Sequence, residues 1–114
     1  MSRDSRPTTS PIRLERSGPP DAPVLFVAGE IDVSTAPVIR DALAEAVDGG
    51  ARRVTLDLGG VGFVDSSGLG VIVGALRRLQ EERDGRLVIE HVQEHVLKVF
   101  EITGLGPMFG LAPR

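Results

Sequence analysis

The spacing of apolar positions along this chain changes period several times, and each change marks an expected element. Residues 12–16 alternate, with Ile12 and Leu14 set against Arg13 and Glu15, which is the pattern of a half-buried strand. A Ser-Gly-Pro-Pro-Asp turn cluster occupies 17–21, and residues 24–29 read as a second, more apolar strand, so the first two strands are expected to form an antiparallel hairpin. From Ser34 the period becomes helical. Ile39, Ala42, Leu43 and Ala46 recur on one face, Ser34 or Thr35 is placed to cap, Pro37 is tolerable in the first turn, and Asp48, Gly49 and Gly50 end the helix. Residues 54–58 return to a period of two, with Val54, Leu56 and Leu58 on one face and Thr55 and Asp57 on the other.

A second helix is expected from Ser66, with Leu69, Ile72, Val73, Leu76 and Leu79 as its apolar stripe, Arg77, Arg78, Gln80 and Glu81 facing water, and Asp84 and Gly85 as its stop. Residues 87–89 read as a fourth strand. Residues 94–102 read as a third helix burying Val96, Leu97 and Phe100, with Gly104 suited to the left-handed position beyond its end. Leu105, Met108, Phe109 and Leu111 suggest a short closing strand. The order ββαβαβα(β) predicts one α/β domain with a mixed, mostly parallel sheet of four to five strands and right-handed crossovers. Helices are expected mainly on one face, because the third strand alternates instead of being apolar throughout. Residues 1–11 offer little to bury and are read as a flexible tail ahead of a domain over 12–114.

Composition narrows the function. A chain of 114 residues has room for one domain, and a net charge of -3 leaves no cationic surplus to neutralise phosphates, so no nucleic-acid partner is expected. The absence of cysteine removes disulfides, Cys-ligated zinc and thiol catalysis. The first twenty residues lack an apolar core, and the longest apolar runs, such as 24–28, fall far short of the ~20 residues of a membrane span. No secretion signal and no direct membrane insertion are expected.

Candidate chemistry is concentrated between Leu56 and Leu76. There a strand passes through Gly59-Gly60-Val61-Gly62-Phe63-Val64 into Asp65-Ser66-Ser67-Gly68-Leu69-Gly70 and an apolar helix. Hydroxyls and free backbone N–H groups at the positive end of a helix dipole attract anions. Read alone, the segment is more simply a capped helix start, with Asp65 or Ser66 as the cap and Gly68, Gly70 and Gly74 allowing close packing. The two readings are compatible, since one serine can cap while its neighbour stays exposed.

Other motifs carry less. His91-Val92-Gln93-Glu94-His95 fits the H-x-x-E-H pattern of zinc proteases, but a third ligand is missing, and His91 directly follows a strand, so the two imidazoles are not expected on one helix turn. A small zinc hydrolase is therefore a remote alternative. A dinucleotide fingerprint would need glycine where Asp65 stands, no Walker A lysine is present, and Ser67 lacks the G-x-S-x-G turn of a hydrolase nucleophile. No catalytic residue, metal or cofactor is expected, and the chain reads as a binding protein and not an enzyme.

Asp57-Leu58, Val61, Phe63, Asp65-Ser66-Ser67-Gly68-Leu69-Gly70 and the apolar helix that follows closely resemble the STAS domain of anti-sigma factor antagonists. Upstream, Gly29-Glu30-Ile31-Asp32 ahead of Thr35-Ala36 strengthens the resemblance. Downstream, Val96, Phe100, Thr103-Gly104-Leu105 and Phe109 extend it, so that it covers roughly residues 12–111. The resemblance implies a STAS-like fold and a mechanism of partner switching. In that mechanism the unphosphorylated antagonist binds an anti-sigma factor that is also an ATP-binding serine kinase, which frees a sigma factor. Phosphorylation inactivates the antagonist, and a PP2C-type phosphatase restores it. The second serine of the segment, Ser67, takes the role of phosphorylation site, with Ser66 as second choice. Asp32, Asp65, Ser66, Ser67, Gly68 and Leu69 are expected to form the partner-binding face of a cytoplasmic monomer. The alternative within the same fold is an unphosphorylated scaffold subunit of a membrane-associated lipid transport or other complex. Members of the family often carry a further C-terminal helix, so an abbreviated last layer is expected where this chain stops at Arg114.

Overall fold

The computed structural model describes residues 12–111. Four strands, β1 (Arg13–Ser17), β2 (Val24–Ile31), β3 (Arg53–Val64) and β4 (Arg86–Glu90), form one sheet in the order β1-β2-β3-β4. β1 and β2 pair antiparallel, while β2–β3 and β3–β4 are parallel. The parallel pairs are joined by α1 (Ala36–Asp48) and α2 (Ser66–Arg83), and α3 (Glu94–Thr103) follows β4. This is the expected element order with a four-stranded mixed sheet. The expected tail over 1–11 lies outside the described residues.

Alternation decides where the core sits. Leu25, Val27 and Ile31 on β2, Val54, Leu56 and Leu58 on β3, and Leu87 and Ile89 on β4 are buried. They meet Ile39, Leu43, Ala46 and Val47 of α1 and Leu69, Ile72, Leu76 and Leu79 of α2 in one apolar cluster. The alternate positions Val24, Phe26, Thr55, Asp57 and Val88 are only half-buried, as expected for a sheet covered more fully on one face. α3 packs chiefly on β3.

Two features differ from expectation. β3 is more than twice the expected length, because the glycine-rich stretch continues the strand as two bulges instead of leaving it as a loop. Between Phe26/Ala28 and again between Gly29/Glu30, β2 advances one residue fewer than β3. The first extra residue turns Val61 inward and the second returns Val64 to the core, a local departure from alternation that bulges produce. Gly60 is required there, since a Cβ would stand 2.7 Å from the Ala28 Cβ.

The expected closing strand is instead a short 3-10 turn, η1 (Gly106–Phe109). Pro107 has no N–H to give to a sheet ladder, and Gly110 at φ 78 turns the chain away. Phe109 is still buried, edge-on to Phe100 with centroids 5.8 Å apart, whereas Met108 stays 44% exposed.

Glycine substitutions separate tight from open positions on α2. Gly68→Ala places its Cβ 2.5 Å from Ile31 Cγ2 and 2.8 Å from Val64 Cγ2. Overpacking of that kind is expected to lower stability by about 1–3 kcal/mol in urea unfolding. Gly74 meets nothing within 4 Å, so Gly74→Ala is expected to raise stability by about 0.5–1 kcal/mol through helix propensity alone.

Candidate functional site

Parallel pairing brings the ends of β2 and β3 side by side. Ile31 is in register with Val64, and the Asp65 N–H donates to the Ile31 carbonyl at 3.1 Å. The loop that opens α1 and the first turn of α2 therefore lie together at one end of the sheet. Asp32 and Asp65, well separated in the chain, are brought to neighbouring strand ends.

Asp65 is the α2 N-cap. Its Oδ1 accepts from Ser67 N–H at 2.9 Å and Gly68 N–H at 3.3 Å. This corrects the expectation of free donors at the helix start: Asp65 takes up two first-turn N–H groups, and its carboxylate is the anion resident at the dipole's positive end. Ser66 beyond it is exposed and Ser67 half-buried. Gly68 and Leu69, expected on the binding face, are buried and hold the helix against Ile31 and Val64 from beneath.

The α1 entrance also departs from expectation, since neither Ser34 nor Thr35 caps the helix through its side chain. Thr35 is turned inward, where its hydroxyl donates to the Glu30 carbonyl at 2.7 Å and accepts from Asp32 N–H at 2.9 Å. Asp32 does the local work. Its Oδ1 accepts from the Ser34 hydroxyl at 2.7 Å, Ser34 N–H at 2.9 Å and Thr35 N–H at 3.2 Å. The Ser34 hydroxyl first and then the Ser34 N–H hold the Asp32 carboxyl below its ordinary range, each outweighing the opposing effect of desolvation, and Thr35 adds a smaller lowering.

Sequence reasoning passed over Val33 and Phe63, which are 75% and 48% exposed beside these carboxylates. Phe63 points outward because the second bulge sets it between the buried Val61 and Val64. The two histidines do separate structural jobs. His91, ahead of α3 and at φ 58, donates from Nδ1 to Asp57 Oδ2 at 3.0 Å, and His95, inside α3, donates from Nε2 to the Gly62 carbonyl at 2.6 Å. Together with Gln93 Nε2 on the Gly59 carbonyl, they tie the bulged segment of β3 to the α3 entrance. Among the described residues no cluster of three His, Asp or Glu is placed to hold a metal ion.

Two outcomes test this geometry. Asp65→Ala is expected to cost about 1 kcal/mol of stability in urea unfolding through loss of the cap. The folded Asp32 carboxyl titrates below the unfolded one, so its contribution is complete at neutral pH, declines as pH falls through the ordinary carboxylate range, and is gone below the folded value. Carbon-detected titration of Asp32 is expected to show that lowered value, and Ser34→Ala is expected to move it upward. An unchanged titration in Ser34→Ala would contradict the assignment.

The model of the family described as "Mlab, STAS domain" matches residues 14–111. The chain is 43% identical over 83 residues to an anti-sigma-B factor antagonist of Listeria monocytogenes, covering 71% of this chain and 70% of that one. Its fold is similar to that of the anti-sigma factor antagonist SpoIIAA in its unphosphorylated form, with a TM-score of 0.75 and 28% identity over 91% of this chain and 90% of that one. The phosphorylated form of SpoIIAA, a Bacillus cell fate determinant, superposes with a TM-score of 0.67 and 28% identity over 91% and 93% of the two chains. With the four-stranded mixed sheet and an Asp-capped Ser-Ser-Gly helix start both in place, the chain belongs to the STAS domain family.

Proposed function

We propose that this protein is an anti-sigma factor antagonist that acts by binding and not by catalysis. In its unphosphorylated form it docks on an anti-sigma factor that is also an ATP-dependent serine kinase, and so releases a sigma factor. Transfer of the γ-phosphoryl group of ATP to the Ser67 hydroxyl, with ADP and a proton as the other products, ends the complex. A PP2C-type phosphatase hydrolyses the phosphoserine and restores binding. The cycle needs only a cytoplasmic monomer. The single observation that carries the proposal is the outward start of α2, where Ser66 and Ser67 follow the Asp65 cap beside the Asp32 loop. The relatives' names supply the partner class, and a fold similar to both forms of SpoIIAA supplies the precedent for a phosphorylated state.

The local geometry supports an electrostatic switch. A phosphate on Ser67 adds about -1.5 to -2 charge at neutral pH. Asp65 already engages the Ser67 and Gly68 N–H groups, so the helix start cannot fully absorb that charge. The phosphate projects toward the partner beside Asp32 and Asp65. A partner surface shaped for a neutral hydroxyl then meets an uncompensated dianion. Loss of about 1.4 kcal/mol weakens binding tenfold, so no refolding is needed to break the complex. Asp32, Asp65, Ser66 and Ser67 form the direct face in this proposal, and the buried Gly68 and Leu69 set its position.

The test uses tagged wild type, Ser67→Ala and Ser67→Asp incubated with lysate of the native bacterium, with phosphosite mapping of the wild type. Wild type and Ser67→Ala are expected to retain an ATP-binding serine kinase that Ser67→Asp loses by about tenfold or more. Equal retention by all three, or phosphate mapped away from Ser67, would overturn the assignment.

A further inference from the structure

We propose that the groove between α1 and α2 is a docking slot for an apolar, carboxylate-bearing helix of the anti-sigma factor partner. This inference rests on the function proposed above and extends its binding face from the α2 start along the helix pair.

The groove is an open channel of about 520 Å³. Leu43, Ala44 and Val47 of α1 form one wall, and Val71 and Ala75 of α2 the other. The two helices run parallel, since both start at the same end of the sheet and Arg78 Nη2 meets Asp48 Oδ1 at 2.8 Å near their far ends. Ser66 and Ser67 thus line the end at the helix starts, and Arg78 closes the other. At about 1.5 Å per residue, the helix from Ser67 to Arg78 gives a channel about 16 Å long, enough for about three turns of a docked helix.

Gly70 and Gly74 lie on the groove one turn apart, and a Cβ at either would meet nothing within 4 Å. Packing inside this chain therefore does not require glycine at these positions, although glycine weakens a helix relative to alanine. Their effect is to keep the channel open. This contrasts with Gly68 on the same helix, where the core leaves no room for a side chain.

Charge identifies the occupant. Among the described residues, the charged side chains lining the groove are Arg40 and Arg78. Arg78 is already occupied by Glu82 at 2.9 Å and Asp48 at 2.8 Å. Arg40, at the serine end, pairs with its sequence neighbour Asp41 through Nε and Nη2 at 3.3 Å each, and its side chain is 62% exposed against 37% for Arg78. An apolar helix that ends in a carboxylate at Arg40 matches both the lining and the more exposed of its two cations, in the helix-in-groove mode of recognition. The arrangement also couples the slot to the switch. A phosphate on Ser67 stands at the end where that carboxylate must sit, repels it, and competes for Arg40.

The experiment titrates the isotope-labelled full chain with a 14-residue amphipathic peptide, leucines on one face and a glutamate at each end, followed by amide chemical shifts. A lysine-for-glutamate peptide, a scrambled peptide and phosphatidylglycerol vesicles are the comparison probes. The glutamate peptide is expected to shift the amides of Leu43, Gly70, Val71 and Gly74. Gly74→Leu, which fills the channel, is expected to weaken it by about tenfold or more. The surface variant Arg40→Glu is expected to reverse the preference toward the lysine peptide, which keeps the test decisive should Gly74→Leu fail to fold. Absence of groove shifts, equal binding of the lysine or scrambled peptide, or binding of vesicles alone would overturn the proposal. The two ideas fail separately: a Ser67 that no kinase phosphorylates leaves this titration unchanged, and a groove that binds no peptide leaves the Ser67 dependence standing.

Discussion

The site depends on one close approach, that of the first turn of α2 to the paired ends of β2 and β3. Gly68 lies against Ile31 and Val64 with no room for a side chain, and the Asp65 N–H is bonded to the Ile31 carbonyl. These contacts fix the height and rotation of the helix start. Because the turn is seated this deeply, the residues immediately before and at its tip, Asp65, Ser66 and Ser67, have little freedom to retreat. A charge added there alters the surface presented to a partner more readily than it alters the fold.

The bulges of β3 serve the same arrangement. A strand that kept strict alternation past Leu58 would point Val61 outward, whereas the first inserted residue turns Val61 into the core and the second brings Val64 back into it. Phe63 remains outward between them. His95, Gln93 and the His91–Asp57 pair bind the bulged segment from the α3 side, so polar groups that could suggest metal chemistry are spent on holding a strand edge. The outcome is a platform with an acidic, partly apolar rim.

Much of this was legible in the sequence. Period changes located the four strands and three helices of the structure, because the buried faces follow a simple spacing, on β3 as far as Leu58. The Asp-Ser-Ser-Gly segment announced the helix start through its cap. What alternation could not show was the continuation of β3 through Gly59, Gly60 and Gly62, since glycines carry no polarity signal and read as loop. The closing segment failed for a related reason: Phe109 has the burial of a strand residue, but Pro107 and Gly110 impose a turn that apolar spacing does not register. Gly68 and Leu69 were placed on the binding face as part of a contiguous motif, whereas a helix turns adjacent residues to different sides. The α1–α2 groove exists only once two distant helices are packed together, and no local pattern announces it.

The measurement that bears most directly on the account compares amide spectra of the protein before and after stoichiometric phosphorylation at Ser67. The account predicts shifts confined to the Asp32–Thr35 loop, the Asp65–Gly70 turn and the neighbouring Arg40, with β1, β4 and α3 unchanged. Widespread shifts through the sheet and α3 would show that phosphorylation works by refolding the domain, and would contradict a switch made from local charge on a rigid face.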